Sequence, residues 1–182
     1  LKPKYGHMER KEIREITGYT FANQRSKEES WYNSAVSFHD GASILAQHKD
    51  SIQGGIRVFL VNVALSLELL LKAIIVAQGE SAPPNHELRS LADKAGVDFT
   101  KSQKATLELL EEIFKWSGRY PVPNKATDWD TYHDQIFERH VIRERAGNTS
   151  LTRANPETFP SVENCDALWT IANQKWDEIQ PH

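Results

Sequence analysis

LELLLKAII, Leu67 to Ile75, is a strongly apolar run, yet it carries Glu68 and Lys72 one helical turn apart. A solvent-facing helix would spread polar residues along one whole side, and a membrane helix would avoid both charges. The run therefore reads as a helix covered on nearly all sides, with a polar pair held inside. At about 100° per residue, Leu60, Val63, Leu67, Leu70, Leu71 and Ile74 share one face, while Val58, Val61, Leu65, Leu69 and Val76 fall elsewhere around the axis. Either this is the central helix of a bundle, or its outer face is covered by a second copy of the chain, symmetric dimers being the commonest oligomers. An acid four residues ahead of a base stabilises a helix by about 0.2 to 0.5 kcal/mol. In such apolar surroundings Glu68 and Lys72 are expected to act as a structural or interface polar pair, not as catalysts.

Outward from this run, the helix spans about Ser51 to Gln78, with Gly79 as its left-handed stop. Upstream, SKEE (Ser26 to Glu29) reads as a capping box, opening a helix to near Lys49 that turns Trp31, Ala35, Phe38, Ala42 and Leu45 inward. Downstream, SAPP is a stiff loop. Asn85 is placed to cap a short helix, HELRSLADKA, with Leu88, Leu91 and Ala92 on one side and Gly96 as its end. Thr100 and Gln103 form a second capping box, opening a helix through Trp116 that buries Leu110, Ile113 and Phe114 and stops at Gly118. RYPVPNKATD is too proline-rich for helix, and Asp128 or Asp130 starts a further helix, DTYHDQIFERHVIRE. A polar loop from Ala146 to Pro160 precedes a last amphipathic helix marked by Val162, Cys165, Leu168, Ala172, Trp176 and Ile179. Neither strand signals nor an internal repeat is read. The expected fold is all-α, an up-and-down antiparallel bundle of four to five long helices plus a short one, forming one domain over residues 8–182.

The composition suits a soluble globular chain of 182 residues, 39% hydrophobic and 26% charged. A net charge of −3 argues against a dedicated nucleic-acid binder and leaves room for a local basic patch. Cys165, the single cysteine, can form neither an intrachain disulfide nor a Cys-rich zinc site, which suggests a reducing cytoplasm. No signal-peptide pattern is seen, and Arg57, Asn62, Glu68 and Lys72 interrupt the hydrophobic region Ile56 to Ala77, so no membrane association is expected. LKPKYGH, ahead of Met8, reads as residues left from expression.

The order of helix LSLELLLKAIIVAQGE, loop SAPP, short helix NHELRSLA, a further helix and GRYP resembles the HEPN superfamily of small all-α domains. The match covers roughly Val61 to Pro121, about a third of the chain, and rests on Glu68, Lys72, Gly79, His86, Leu88, Arg119, Tyr120 and Pro121. The resemblance implies a four- or five-helix bundle that frequently dimerises, in prokaryotic defence or toxin-antitoxin settings. Many such domains are metal-independent ribonucleases using an arginine followed four to six residues later by a histidine; others lack the motif and serve as binding modules. None of the ten arginines here has a histidine at that spacing, so the superfamily's catalytic residues do not carry over.

His86, at the first turn of its short helix, is expected to be a local hydrogen-bond partner of Glu68 or of a loop carbonyl, and is a weaker candidate for a catalytic base. Arg119 is the leading candidate to hold a phosphate, because Tyr120 beside it can stack on a base. ERHVIRER with Arg153 gathers Arg139, His140, Arg143 and Arg145, either a solvated helix face or the stretch best able to meet RNA. His140 is a further catalytic candidate. His133, Asp134 and Glu138 match no zinc spacing, and no cofactor motif appears, so neither metal nor cofactor is expected. Two functions follow: a non-catalytic dimeric module that binds RNA, a nucleotide or a genetically linked protein partner through His86, Arg119 and Tyr120, or a ribonuclease with a non-standard His/Arg site.

Overall fold

The structure, a computed structural model, describes residues 9–147 and 149–180; residues 1–7, read as left from expression, lie outside the described residues. In chain order it has α1 (Arg10–Ile16), α2 (Phe21–Ser26), α3 (Glu28–His48), α4 (Gly55–Ala77), α5 (Leu88–Ala95) and α6 (Lys101–Glu112). A π-helical turn (Ile113–Ser117) continues α6, followed by α7 (Ala126–His140), strands β1 (Val141–Ala146) and β2 (Thr149–Ala154), and α8 (Val162–Ile179). The chain is of the all-α class with one small two-stranded sheet. α3, α4, α6, α7 and α8 supply the expected long helices. α1 and α2 bury no residue, and so no apolar periodicity announces them in the sequence.

α4 is the core helix, packed against α3, α5, α6, the π turn and α8. Leu67, Leu70, Leu71, Ile74 and Ile75 on it are fully buried. By length and composition α4 could cross a membrane, with a mean hydropathy of 2.2 over its most apolar stretch, but 72% of that stretch is buried inside this fold. α3 approaches it through small residues, Ala35 and Ala42, which are 0% and 2% exposed. Trp31 lies over Lys72, and Gly41 faces Asn62, so the two helices run antiparallel. Their connection needs glycine twice. Gly54 has φ 72°, and a Cβ on Gly55 would lie 2.2 Å from the Lys49 carbonyl oxygen. This tight crossing delays the start of α4 to Gly55 from the expected Ser51.

α8 closes the other flank of α3 with two stacked pairs, Tyr32 on Trp176 at 4.4 Å and His39 on Trp169 at 4.0 Å. Its Cys165, Leu168, Ala172 and Trp176 are buried, as their spacing predicts. The stops at Gly79 and Gly96 also appear. At the start of α6 the reciprocal box forms, Gln103 N-H donating to Thr100 Oγ1 at 3.2 Å and Thr100 N-H to Gln103 Oε1 at 2.9 Å.

Several local expectations are corrected. Ser26 does not cap α3, because Thr20 has already capped α2 and placed Ser26 at that helix's end. Asn85 caps nothing; α5 starts at Leu88 while the preceding residues carry His86 across to α4. Phe38 is 37% exposed, not inward. The largest departure follows His140, where a hairpin replaces both the end of the expected helix and part of the expected loop. β1 and β2 pair antiparallel from Val141↔Ala154 to Ala146↔Thr149. Val141 and Ile142 are β-branched, and Gly147-Asn148 between the strands is a hairpin signal that the abundant charges hid. The basic cluster is thereby divided. Arg143 and Arg145 share one strand face, Arg153 pairs with Glu144 at 2.7 Å, and Arg139 remains on α7.

Two histidines are tied into this packing. Burial lowers the His39 ring pKa against the pull of Asp166 and Asp40. Burial also lowers that of His140, outweighing its bond to the Thr158 carbonyl, and Arg139 adds to the effect while Glu108 opposes it. Both rings therefore favour the neutral form in the folded state. Their contribution to stability is complete above the unperturbed value of 6.5 and is lost as pH falls below it, where the unfolded chain takes up protons that the folded chain resists. The melting temperature is expected to fall between about pH 7 and pH 5.5, and less steeply in the double variant His39→Gln/His140→Asn. An unchanged slope in that variant would remove these two rings from the account.

Candidate functional site

Glu68 and Lys72 lie inside the fold, 3% and 4% exposed, with Lys72 Nζ 2.7 Å from Glu68 Oε1. The expected bond from His86 is present, its Nδ1 lying 3.0 Å from both oxygens of the same carboxylate. A carboxylate accepts hydrogen bonds, so Nδ1 carries the proton that points to Glu68. Nε2 is the remaining nitrogen of a side chain that is 55% exposed. Lys72 is further held over the face of Trp31, 6.0 Å from the ring centre. The pair is a polar fixing point joining α4, α3 and the segment ahead of α5.

Phe114 of the π turn extends this line. The His86 ring sits 5.8 Å from it, and the Arg119 guanidinium lies over it at 4.4 Å. His86 and Arg119 are thus brought to one aromatic ring. Gly118 makes the arrangement sterically possible, because a Cβ there would come within 2.1 Å of Val61 Cγ2 and 2.8 Å of the Ile113 carbonyl oxygen. The Gly118 N-H donates instead to that carbonyl at 2.7 Å, the i to i+5 bond of the π turn.

Tyr120 takes a different path from Arg119. It is 58% exposed and lines a cleft of about 280 Å³ with Arg57, Trp116, Pro121, Trp129, Tyr132 and His133. Trp116 meets Tyr132 edge-on at 4.7 Å and Trp129 at 6.1 Å, while Trp129 contacts His133 at 4.4 Å. His133 is thereby packed among aromatics; among the described residues no group of three metal-ligating side chains converges. The aromatic cleft was missed in the sequence, although Trp129, Tyr132 and His133 occupy one helical stripe at spacings of three and four.

The remaining candidates lie away from this line. His140 is 3% exposed and gives its Nδ1-H to the Thr158 carbonyl at 2.9 Å, an acceptor also used by Thr106 at 3.0 Å. Its anchoring reads as structural. Arg139 lies 2.5 Å from Glu108, which also pairs with Arg89, inside a cleft of about 640 Å³ that includes Lys101 and Lys104. Arg143 lies over Phe137 at 5.3 Å. Burial pushes the Cys165 thiol up to about 12, which keeps it protonated and a poor nucleophile. No protein-family model matches the chain, and neither does any curated protein or solved structure.

Removing one member of a buried ion pair strands the other, at a cost of about 3 to 5 kcal/mol, whereas replacing both by apolar groups is often close to neutral. Glu68→Ala is expected to lose stability in that range in urea unfolding, and Glu68→Leu/Lys72→Met to recover most of it. If the double variant is as unstable as the single one, the carboxylate has a further obligatory role, with His86 its evident beneficiary.

Proposed function

We propose that the chain is a HEPN-like helical module, dimeric and non-catalytic, that binds RNA through the surface around His86, Arg119 and Tyr120. The observation that carries this reading is the convergence of Glu68, Lys72, His86 and Arg119 along Trp31 and Phe114, because those four polar residues come from three separate parts of the ordered motif. Arg119 offers a guanidinium fork for phosphate, and Tyr120 next to it offers an exposed ring for a base. The missing arginine-histidine spacing favours binding without cleavage. Exposed apolar side chains on α3 and α4, Ile44, Ile56 and Val58 among them, support a partner surface for a second copy.

One observation favours the alternative, a metal-independent ribonuclease. Glu68 fixes the His86 Nδ1-H, which leaves Nε2 oriented as a base is oriented by a carboxylate in hydrolytic enzymes. Incubation of the pure chain with labelled RNA in EDTA separates the two. Binding without cleavage, weakened in Arg119→Ala, supports the module; cleavage abolished in both His86→Ala and Arg119→Ala establishes the ribonuclease. If RNA is neither bound nor cut, the nucleic-acid reading fails, and a nucleotide or a protein encoded nearby takes its place. Light scattering at tens of micromolar is expected to report twice the chain mass of 20.8 kDa. A single-chain mass there contradicts the dimer.

A further inference from the structure

The aromatic cleft beside Arg119 is built for a flat, anionic ligand. Its walls come from three helical elements and a loop: the first turns of α4 supply Arg57, the π turn Trp116, α7 Trp129 and Tyr132, and the loop between the π turn and α7 Tyr120 and Pro121. Leu60 and Ile113, each 6% exposed, line it with apolar surface. Trp129 remains 39% exposed and Tyr120 58%, so large ring surface is left for a ligand to cover. At about 280 Å³ the space sits just below the usual range for drug-sized ligands and suits one ring system.

The charge distribution selects the chemistry. An aromatic box can hold a cationic head group, yet this one has no carboxylate in its wall and does have the fixed positive charge of Arg57. Among the described residues Arg57 has no ion-pair partner, so its guanidinium is available for an anion. A ring that stacks and a charge that is negative together describe a nucleotide unit.

We propose that this cleft binds one unpaired base of a single-stranded RNA, stacked on Trp129 and Tyr120, with a flanking phosphate on Arg57. The inference rests on the RNA-binding reading above and assigns the base to a place distinct from the His86 and Phe114 contacts. Base stacking on an aromatic side chain makes a measurable share of single-strand affinity, and a phosphate contact adds about one unit to the salt slope.

The test is fluorescence anisotropy of the full chain with single-stranded RNAs of about ten nucleotides, read beside intrinsic tryptophan fluorescence. Trp129→Ala and Tyr120→Ala are each expected to weaken binding by roughly 5- to 150-fold, and Trp129→Phe to retain much of the affinity. Arg57→Ala is expected to weaken binding and to flatten the salt dependence by about one unit. Circular dichroism spectra of the same variants at the assay temperature are expected to match the parent, since none of these residues lies in the buried core. If RNA binds the parent and is lost in Arg119→Ala but unaffected in Trp129→Ala and Arg57→Ala, this inference fails and the module reading stands. If the parent binds no RNA, both fail. Competition by free AMP as potent as by the RNA overturns the assignment to a polynucleotide.

Discussion

The Glu68 carboxylate, buried in the most apolar helix of the fold, constrains everything arranged around it. A lone carboxylate at that depth would carry a desolvation cost of several kcal/mol, which only close and well-directed partners offset. Lys72 supplies the counter-charge from the next turn of the same helix, and His86 supplies a hydrogen bond from a different segment. The second of these has long-range consequences. It holds the chain extended through Glu87, delays α5 to Leu88, and leaves one histidine ring beside Phe114.

From that point the candidate site follows the backbone. The π turn adds a residue to the helical repeat and so redirects the chain just before Gly118, whose missing side chain lets the loop close against Val61. Arg119 and Tyr120 then leave in different directions, one to Phe114 and one to the cleft of Trp116 and Trp129. Two candidate surfaces of different character therefore meet at one dipeptide. The first is polar and anchored by a buried carboxylate; the second is aromatic, with Arg57 as its cation.

Legibility followed burial. Where side chains enter the core, the spacing announced the element: α4, α6 and α8 were read from their apolar stripes, and the Thr100 and Gln103 box from its paired polar groups. Where nothing is buried, as in α1, α2 and β2, the pattern had no core to report and the elements were missed or misassigned. In the hairpin, the charges of Arg143, Glu144 and Arg145 match a solvated helix face as well as a strand, and only the β-branched Val141 and Ile142 ahead of them favour the strand.

By itself the sequence determined the helical class, the covering of α4 on nearly all sides, its stop at Gly79, and the pairing of Glu68 with Lys72. Those depend on neighbours within a turn or on periodic burial, both of which are local in the chain. It also offered Glu68 as one of two partners for His86, a loop carbonyl being the other, and the fold selected Glu68. Only the tertiary structure decided that Arg119 and His86 share Phe114, that Tyr120 joins four other ring-bearing side chains and Arg57, and that Arg139 is separated from Arg143 and Arg145. Those outcomes depend on a π turn, a steric contact at Gly118 and the end of a helix at His140, where a shift of one residue turns a side chain toward a different neighbour.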